Sequence, residues 1–129
     1  MKKYRFKHQN EEDIKAYIKA NKLDAQKTDS GLYYSIFKEG EGKRPSADSN
    51  ITIDYFGYFT DDEAFDQNQN FEINLSEVIA GWTEGIQLFK EGGEGILLIP
   101  AHLGYGIEDN GSIPGGSVLI FDVQLKKVN

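Results

Sequence analysis

Val78-Ile79-Ala80-Gly81-Trp82-Thr83-Glu84-Gly85 contains the chain's only tryptophan, close to two glycines and following two branched apolar residues. A buried indole offers a large flat apolar surface, and Gly81 and Gly85 let the backbone turn tightly and approach a ligand with no side chain between. The stretch therefore reads as the floor of a pocket. Other aromatics stand in polar or glycine contexts elsewhere: Tyr55 near Gly57, Phe65 beside Asp66, Phe71, Tyr105 between Gly104 and Gly106, and Phe121 beside Asp122. Periodicity alone leaves two readings of them, a common core or a common concave site.

Outward from this stretch, Thr83 to Phe89 is the one helical candidate of the main body. Thr83 is its expected cap, Ile86 and Phe89 face inward, and Glu91-Gly92-Gly93 stops it. The surroundings read as strand. Leu32 to Lys38 is aromatic and β-branched, Ile51 to Phe59 alternates Ile51, Ile53 and Tyr55 on one face, and Phe71, Ile73 and Leu75 alternate again. Ile96 to Ile99 and Val118 to Val128 add two more, the second with Leu119, Phe121, Val123 and Leu125 opposite Asp122, Gln124 and Lys126. Asp61-Asp62 fits a turn. One short helix among roughly five strands is an α+β arrangement, and so little helix requires the sheet to wrap around it to bury both faces.

Before this body, Asn10 to Asn21 predicts a second short helix. Asn10 is placed to cap it, Glu11, Glu12 and Asp13 suit its positive end, and Ile14, Tyr17 and Ile18 form one apolar stripe for the body or a second copy. Thr28-Asp29-Ser30-Gly31 is a polar break. It divides an N-terminal extension, residues 1–30, from a main domain, residues 31–129.

Composition narrows the function classes. At 129 residues, 39% hydrophobic and 27% charged, the chain fits one soluble core, and its 14 glycines suit a β-rich fold. A net charge of −7 argues against a phosphate backbone as partner, which needs clustered Lys and Arg. With no cysteine, thiol nucleophiles, disulfides and Cys-based metal sites are excluded. No apolar run approaches the roughly 20 residues of a transmembrane helix, and Lys2-Lys3 is not followed by a signal-peptide core. The chain as given reads as soluble, its compartment open between cytoplasm and, with a leader removed, the bacterial cell envelope.

The usual catalytic sets are missing. His8 and His102 lack the partners of a triad or the spacing of a zinc site, and Gly92-Gly93 and Gly115-Gly116 lack the Lys-Ser/Thr of a phosphate loop. Asp66, Asn68, Asn70, Glu72 and Glu77 match a calcium-loop register, but Phe71 stands where that loop needs glycine, and Phe71, Ile73 and Leu75 alternate as a strand. No metal or cofactor is expected.

Taken in order, Tyr55-Phe56-Gly57, Phe65-Asp66, Val78 to Gly85, Ile99-Pro100, Leu103-Gly104-Tyr105-Gly106, Gly111-Ser112-Ile113-Pro114 and Leu119-Ile120-Phe121-Asp122-Val123 resemble the FKBP-type peptidyl-prolyl cis-trans isomerases, especially the bacterial Mip-like branch. Each fragment alone is weak. Seven in the family's order, over roughly Gly31 to Val128, make a specific signal.

The resemblance implies a half-wrapped antiparallel sheet around one short helix, with a substrate proline ring seated on Trp82. Tyr55, Phe65, Phe71, Val78, Ile79, Ile113 and Phe121 would complete the substrate-binding walls, with Asp66 and Tyr105 as the catalytic residues. By the family's pattern, the Ile79 N–H and the Tyr105 hydroxyl bond carbonyls of the substrate or of a macrolide such as tacrolimus. It further implies assistance to protein folding, proline-containing polypeptides as substrates, and a homodimer through the N-terminal helix as a candidate assembly. A non-catalytic proline-peptide or chaperone module using the same pocket is the alternative. Two departures bear on the rim: the connection from Asp66 to Phe71 is several residues short, and it lacks the arginine that often pairs with the aspartate.

Overall fold

The computed structural model describes residues 2–129, with side chains from Phe6 onward. Its elements are α1 (Lys2–Ala20), β1 (Gln26–Lys27), β2 (Tyr33–Lys38), β3 (Asn50–Tyr58), β4 (Ala64–Asn74), α2 (Ala80–Ile86), β5 (Glu94–Ile99) and β6 (Leu119–Val128). The strands form one sheet in the order β1-β2-β5-β6-β3-β4, antiparallel at every pairing. Short 3₁₀ turns follow β4 at Leu75–Glu77 and β5 at Ala101–Leu103. The expected α+β architecture is present, a half-open antiparallel sheet with a helix in its concavity. The added strand is the two-residue β1, and β4 extends back to Ala64 because Asp61-Asp62 turns the chain there, with Asp62 at a φ of 69°.

Both helices differ from expectation for physical reasons. α2 begins three residues before Thr83. Ile79 stands at its cap position with no side-chain cap, and the Thr83 hydroxyl instead donates to the Leu75 carbonyl at 2.6 Å, tying the helix to the preceding 3₁₀ turn. α1 begins eight residues before Asn10, so Asn10 is interior to the helix and buried, and Glu11, Glu12 and Asp13 are not at its end. The apolar spacing simply continues backwards, with Phe6 four residues before Asn10 and Ile14 four after. α1 stops at a left-handed Lys22, φ 55°, with the Leu23 N–H donating to the Ile18 carbonyl and the Lys22 N–H to that of Lys19, a Schellman closure in the place glycine usually takes.

Wrapping alone does not bury the second face of the sheet; α1 does. Leu97, Ile99, Leu119 and Phe121 point into the concave cluster under α2, whereas Ile96, Leu98 and Ile120 point to the convex side and pack with Ile14, Tyr33 and Tyr58. This explains why Ile96-Leu97-Leu98-Ile99 is apolar throughout and does not alternate: that end of the sheet is covered on both faces. From Asp122 to Lys126 β6 alternates polar and apolar residues. Ile14 is fully buried at this junction, so Ile14→Ala is expected to cost about 2 to 5 kcal/mol of stability. Urea denaturation monitored at Trp82 measures it.

Candidate active site

α2 lies close to the sheet because its two glycines face β5. A Cβ on Gly81 would come within 2.6 Å of the Ile99 side chain, and one on Gly85 within 2.7 Å of Leu97. These glycines therefore admit the sheet, not a ligand, which corrects the role expected of them. The close approach sets Trp82 against the aromatics of β3 and β6. Tyr55 meets it edge to face at 5.0 Å between ring centroids and Phe121 at 5.3 Å, while Phe71 reaches Tyr55 at 5.7 Å. Such geometries favour aromatic pairs beyond their burial. Gly57 serves the same packing from β3, since a Cβ there would lie 2.8 Å from Phe121 and 2.9 Å from Phe65.

The rings enclose a concave cavity of ≈ 440 Å³, lined by Tyr55, Asp66, Phe71, Ile73, Glu77, Val78, Ile79, Trp82, Tyr105 and Phe121. Every expected site residue lines it except Phe65 and Ile113. Phe65 stands behind Phe121, 5.5 Å away and edge to face, so it supports the wall without forming it. Ile113 is buried in the same apolar cluster as Trp82. Ile73 and Glu77 were not anticipated. Ile73 follows from Phe71 by the two-residue strand period, whereas Glu77 is delivered by the 3₁₀ turn, for which the sequence carries no comparable signal.

The shortened connection from Asp66 to Phe71 is strand, and its register contains the answer to how both residues reach one cavity. Five residues apart, they would face opposite sides of a regular strand. Ile53 pairs with Phe71 but Tyr55 with Asn68, so β4 carries one extra residue here, a bulge that restores both side chains to the concave face. Asn70 occupies it at a φ of 52°, and its N–H donates to Asp54 Oδ1 at 2.7 Å. The residues of the calcium-loop register are thus mostly committed to β4, and among the described residues no group of three or more acidic or histidine side chains is placed to hold a metal.

At the rim the Tyr55 hydroxyl donates to Asp66 Oδ2 at 2.8 Å, and Asp66 Oδ1 accepts the Gln67 N–H at 2.9 Å. Burial, and then the bond to Asp66, push the Tyr55 hydroxyl well above the usual phenol range. Tyr55 accordingly stays protonated and holds the carboxylate. Trp82 is 4% exposed, and its indole N–H is buried without a hydrogen-bond partner among the described residues. Tyr105, 41% exposed, projects at the mouth from the loop after β5. A larger depression of ≈ 780 Å³ on the convex face has a mixed wall, with Phe37, Phe56 and Val123 beside Asp54, Gln67, Gln69, Glu94, Asp122 and Gln124, and does not include Trp82, Phe71 or Phe121. The histidines stand apart from both: His102 Nε2 donates to the Ser30 carbonyl at 2.8 Å, and His8 is exposed.

Sheet, helix and aromatic rings together define a domain with an apolar-lined cavity between α2 and the concave sheet. A family model described as FKBP-type peptidyl-prolyl cis-trans isomerase matches residues 41–126, and the chain belongs to that family. It is 42% identical over 126 residues to a probable FKBP-type peptidyl-prolyl cis-trans isomerase FkpA of Neisseria meningitidis serogroup B, covering 92% of this chain and 46% of the relative. To FkpA of Escherichia coli strain K12 it is 33% identical over 131 residues, covering 98% of this chain and 44% of that one. The chain thus spans about half the length of these curated relatives. The crystal structure of FkpA from Escherichia coli superimposes with a TM-score of 0.85 at 32% identity, over 92% of this chain and 58% of that one. A peptidyl-prolyl cis-trans isomerase from Pseudomonas syringae pv. tomato gives 0.82 at 26% identity, over 95% of each chain.

The bulge makes a separate prediction. Asn70→Val should lose about 1 to 2 kcal/mol, the cost of a left-handed backbone for a side chain with a branched Cβ, while Asn70→Gly should stay within a few tenths. Equal urea midpoints for the two variants would contradict the assigned backbone.

Proposed function

We propose that this chain accelerates cis-trans rotation of X-Pro bonds in folding polypeptides, with residues 31–129 as the isomerase domain and residues 1–30 as an N-terminal extension to it. The observation that carries the reading is the convergence of Tyr55, Phe71, Trp82 and Phe121 around one cavity large enough for a proline ring and its neighbours. Rotation about a prolyl amide costs about 18 to 20 kcal/mol because resonance is lost, although cis and trans differ by only about 0.5 to 1 kcal/mol. No covalent bond changes. An apolar cavity disfavours the charge-separated planar amide relative to the twisted one, and hydrogen bonds that fit the twisted form better lower the barrier differentially.

In this reading the proline ring sits on Trp82 between Tyr55, Phe71 and Phe121, with Phe65 and Ile113 backing the walls. The Ile79 N–H and the Tyr105 hydroxyl bond substrate carbonyls, and Asp66, held by Tyr55, acts on the amide electrostatically and not as a base. Macrolides such as tacrolimus would compete for the same cavity. A homodimer through α1 would use a surface of the helix other than the stripe around Ile14, because that stripe already packs on the sheet. Among the described residues no helix is long and apolar enough to cross a membrane.

The deciding experiment is NMR exchange on a short X-Pro peptide, with and without the protein and then with excess tacrolimus. Acceleration that the drug abolishes is the expected result. Drug binding without acceleration would replace the enzyme with a proline-binding or chaperone module. Because Trp82 belongs to the core as well as the cavity, Trp82→Phe is a cleaner probe than alanine. It should weaken peptide binding by about 1 to 2 kcal/mol through lost apolar contact, and an unchanged affinity would remove the indole from the floor. Tyr105→Phe should weaken binding by about 0.5 to 1.5 kcal/mol, one neutral hydrogen bond, which isothermal titration can resolve.

A further inference from the structure

Asn10 is an awkward choice for its position. Asparagine is a weak helix former, and this one lies inside α1, 3% exposed. Its side chain satisfies both of its polar ends on the main body: Nδ2 donates to the Gly116 carbonyl at 2.9 Å, and Oδ1 accepts the Ala101 N–H at 2.8 Å. Ala101 and Gly116 flank the segment that carries Tyr105 and Ile113. The segment bonds across its own base as well. The Gly116 N–H donates to the Gly106 carbonyl at 2.9 Å, and the Gly106 N–H to the Ala101 carbonyl at 2.9 Å. Asn10, Gly116, Gly106 and Ala101 therefore form a closed ring of hydrogen bonds, and Tyr105 is the immediate chain neighbour of one of its members.

Other contacts reinforce the ring from the same side. The Phe6 ring lies under Gly116, where a Cβ would come within 2.4 Å of it and where φ is +80°, so only glycine fits. His102, in the turn just before Tyr105, bonds the Ser30 carbonyl. Asn10, Phe6 and Ser30 lie outside residues 41–126, the part matched by the family model, whereas the loop residues they hold lie inside it.

We propose that Asn10 is a positioning residue for the cavity: by closing the two ends of the 101–116 segment, it holds Tyr105 at the mouth, so the N-terminal helix is part of the binding apparatus. The proposal rests on the reading that this cavity receives the prolyl peptide. Asn10 touches no substrate and acts through Tyr105.

The test uses the full chain with Asn10→Leu, which keeps the bulk but removes both bonds, beside Ile14→Val, which loosens the same helix without touching the loop. In Asn10→Leu the amides of Gly106 and Gly116 should exchange about tenfold faster, with those of α2 and β6 unchanged, and kcat/KM for the X-Pro peptide should fall about three- to tenfold. Ile14→Val should leave both readings at the wild-type level. Combined with Asn10→Leu, Tyr105→Phe should cost less than it does alone, because its hydroxyl is already misplaced. Unchanged loop exchange in Asn10→Leu, an equal loss in Ile14→Val, or strictly additive effects of the two substitutions would each overturn the proposal. A wild type that does not turn over the peptide counts against the isomerase reading alone; the exchange of the 101–116 amides then decides the clamp, and the peptide's dissociation constant replaces kcat/KM in the cycle.

Discussion

The close seating of α2 on β5 is the contact on which the rest depends. Gly81 and Gly85 let the helix approach Ile99 and Leu97 at distances that a side chain would block, and this height places Trp82 level with Tyr55 and Phe121. A helix raised by one methyl layer would lengthen those ring contacts toward the outer limit of edge-to-face packing, about 7 Å. The cavity exists because two glycines remove that layer.

The contact between α2 and β5 also explains how rigidity is distributed. The floor and two walls are attached to α2, β3 and β6, which belong to one apolar cluster and pack at interior density. The rim is different in kind: Asp66 is held by a phenol hydroxyl and a neighbouring amide, and Tyr105 by a ring of backbone bonds closed from α1. Under the proposed function, a site that rotates an amide would benefit from such a division. The floor needs shape, which packing supplies, and the rim needs oriented dipoles, which hydrogen bonds supply.

Much of the cavity was legible in the chain because its residues lie on elements with clear periods. Tyr55, Phe121 and the apolar face of β6 follow from alternation, and the resemblance of seven short motifs gathered them into one site. Other parts were not legible. Asn10 and Thr83 do not cap their helices as their sequence context suggests, because a cap and an interior residue with a distant partner look alike in one dimension; only the fold supplies the Gly116, Ala101 and Leu75 partners. Glu77 reaches the cavity from a 3₁₀ turn that has no period to read, and Phe65 lies one ring behind the wall.

Local pattern by itself determined five of the six strands, β4 only in its second half, together with the α+β class and the residue types of an apolar, aromatic pocket, because hydrophobic alternation and turn chemistry act between near neighbours. Tertiary structure alone decided which face each element buries against what. The chain carries no mark saying that Ile14 covers Ile96 and Leu98, that one extra residue at Asn70 turns Asp66 and Phe71 to the same side, or that Asn10 closes a loop about a hundred positions away. Those facts arise from contacts between residues distant in sequence, whose partners exist only once the sheet has closed around α2.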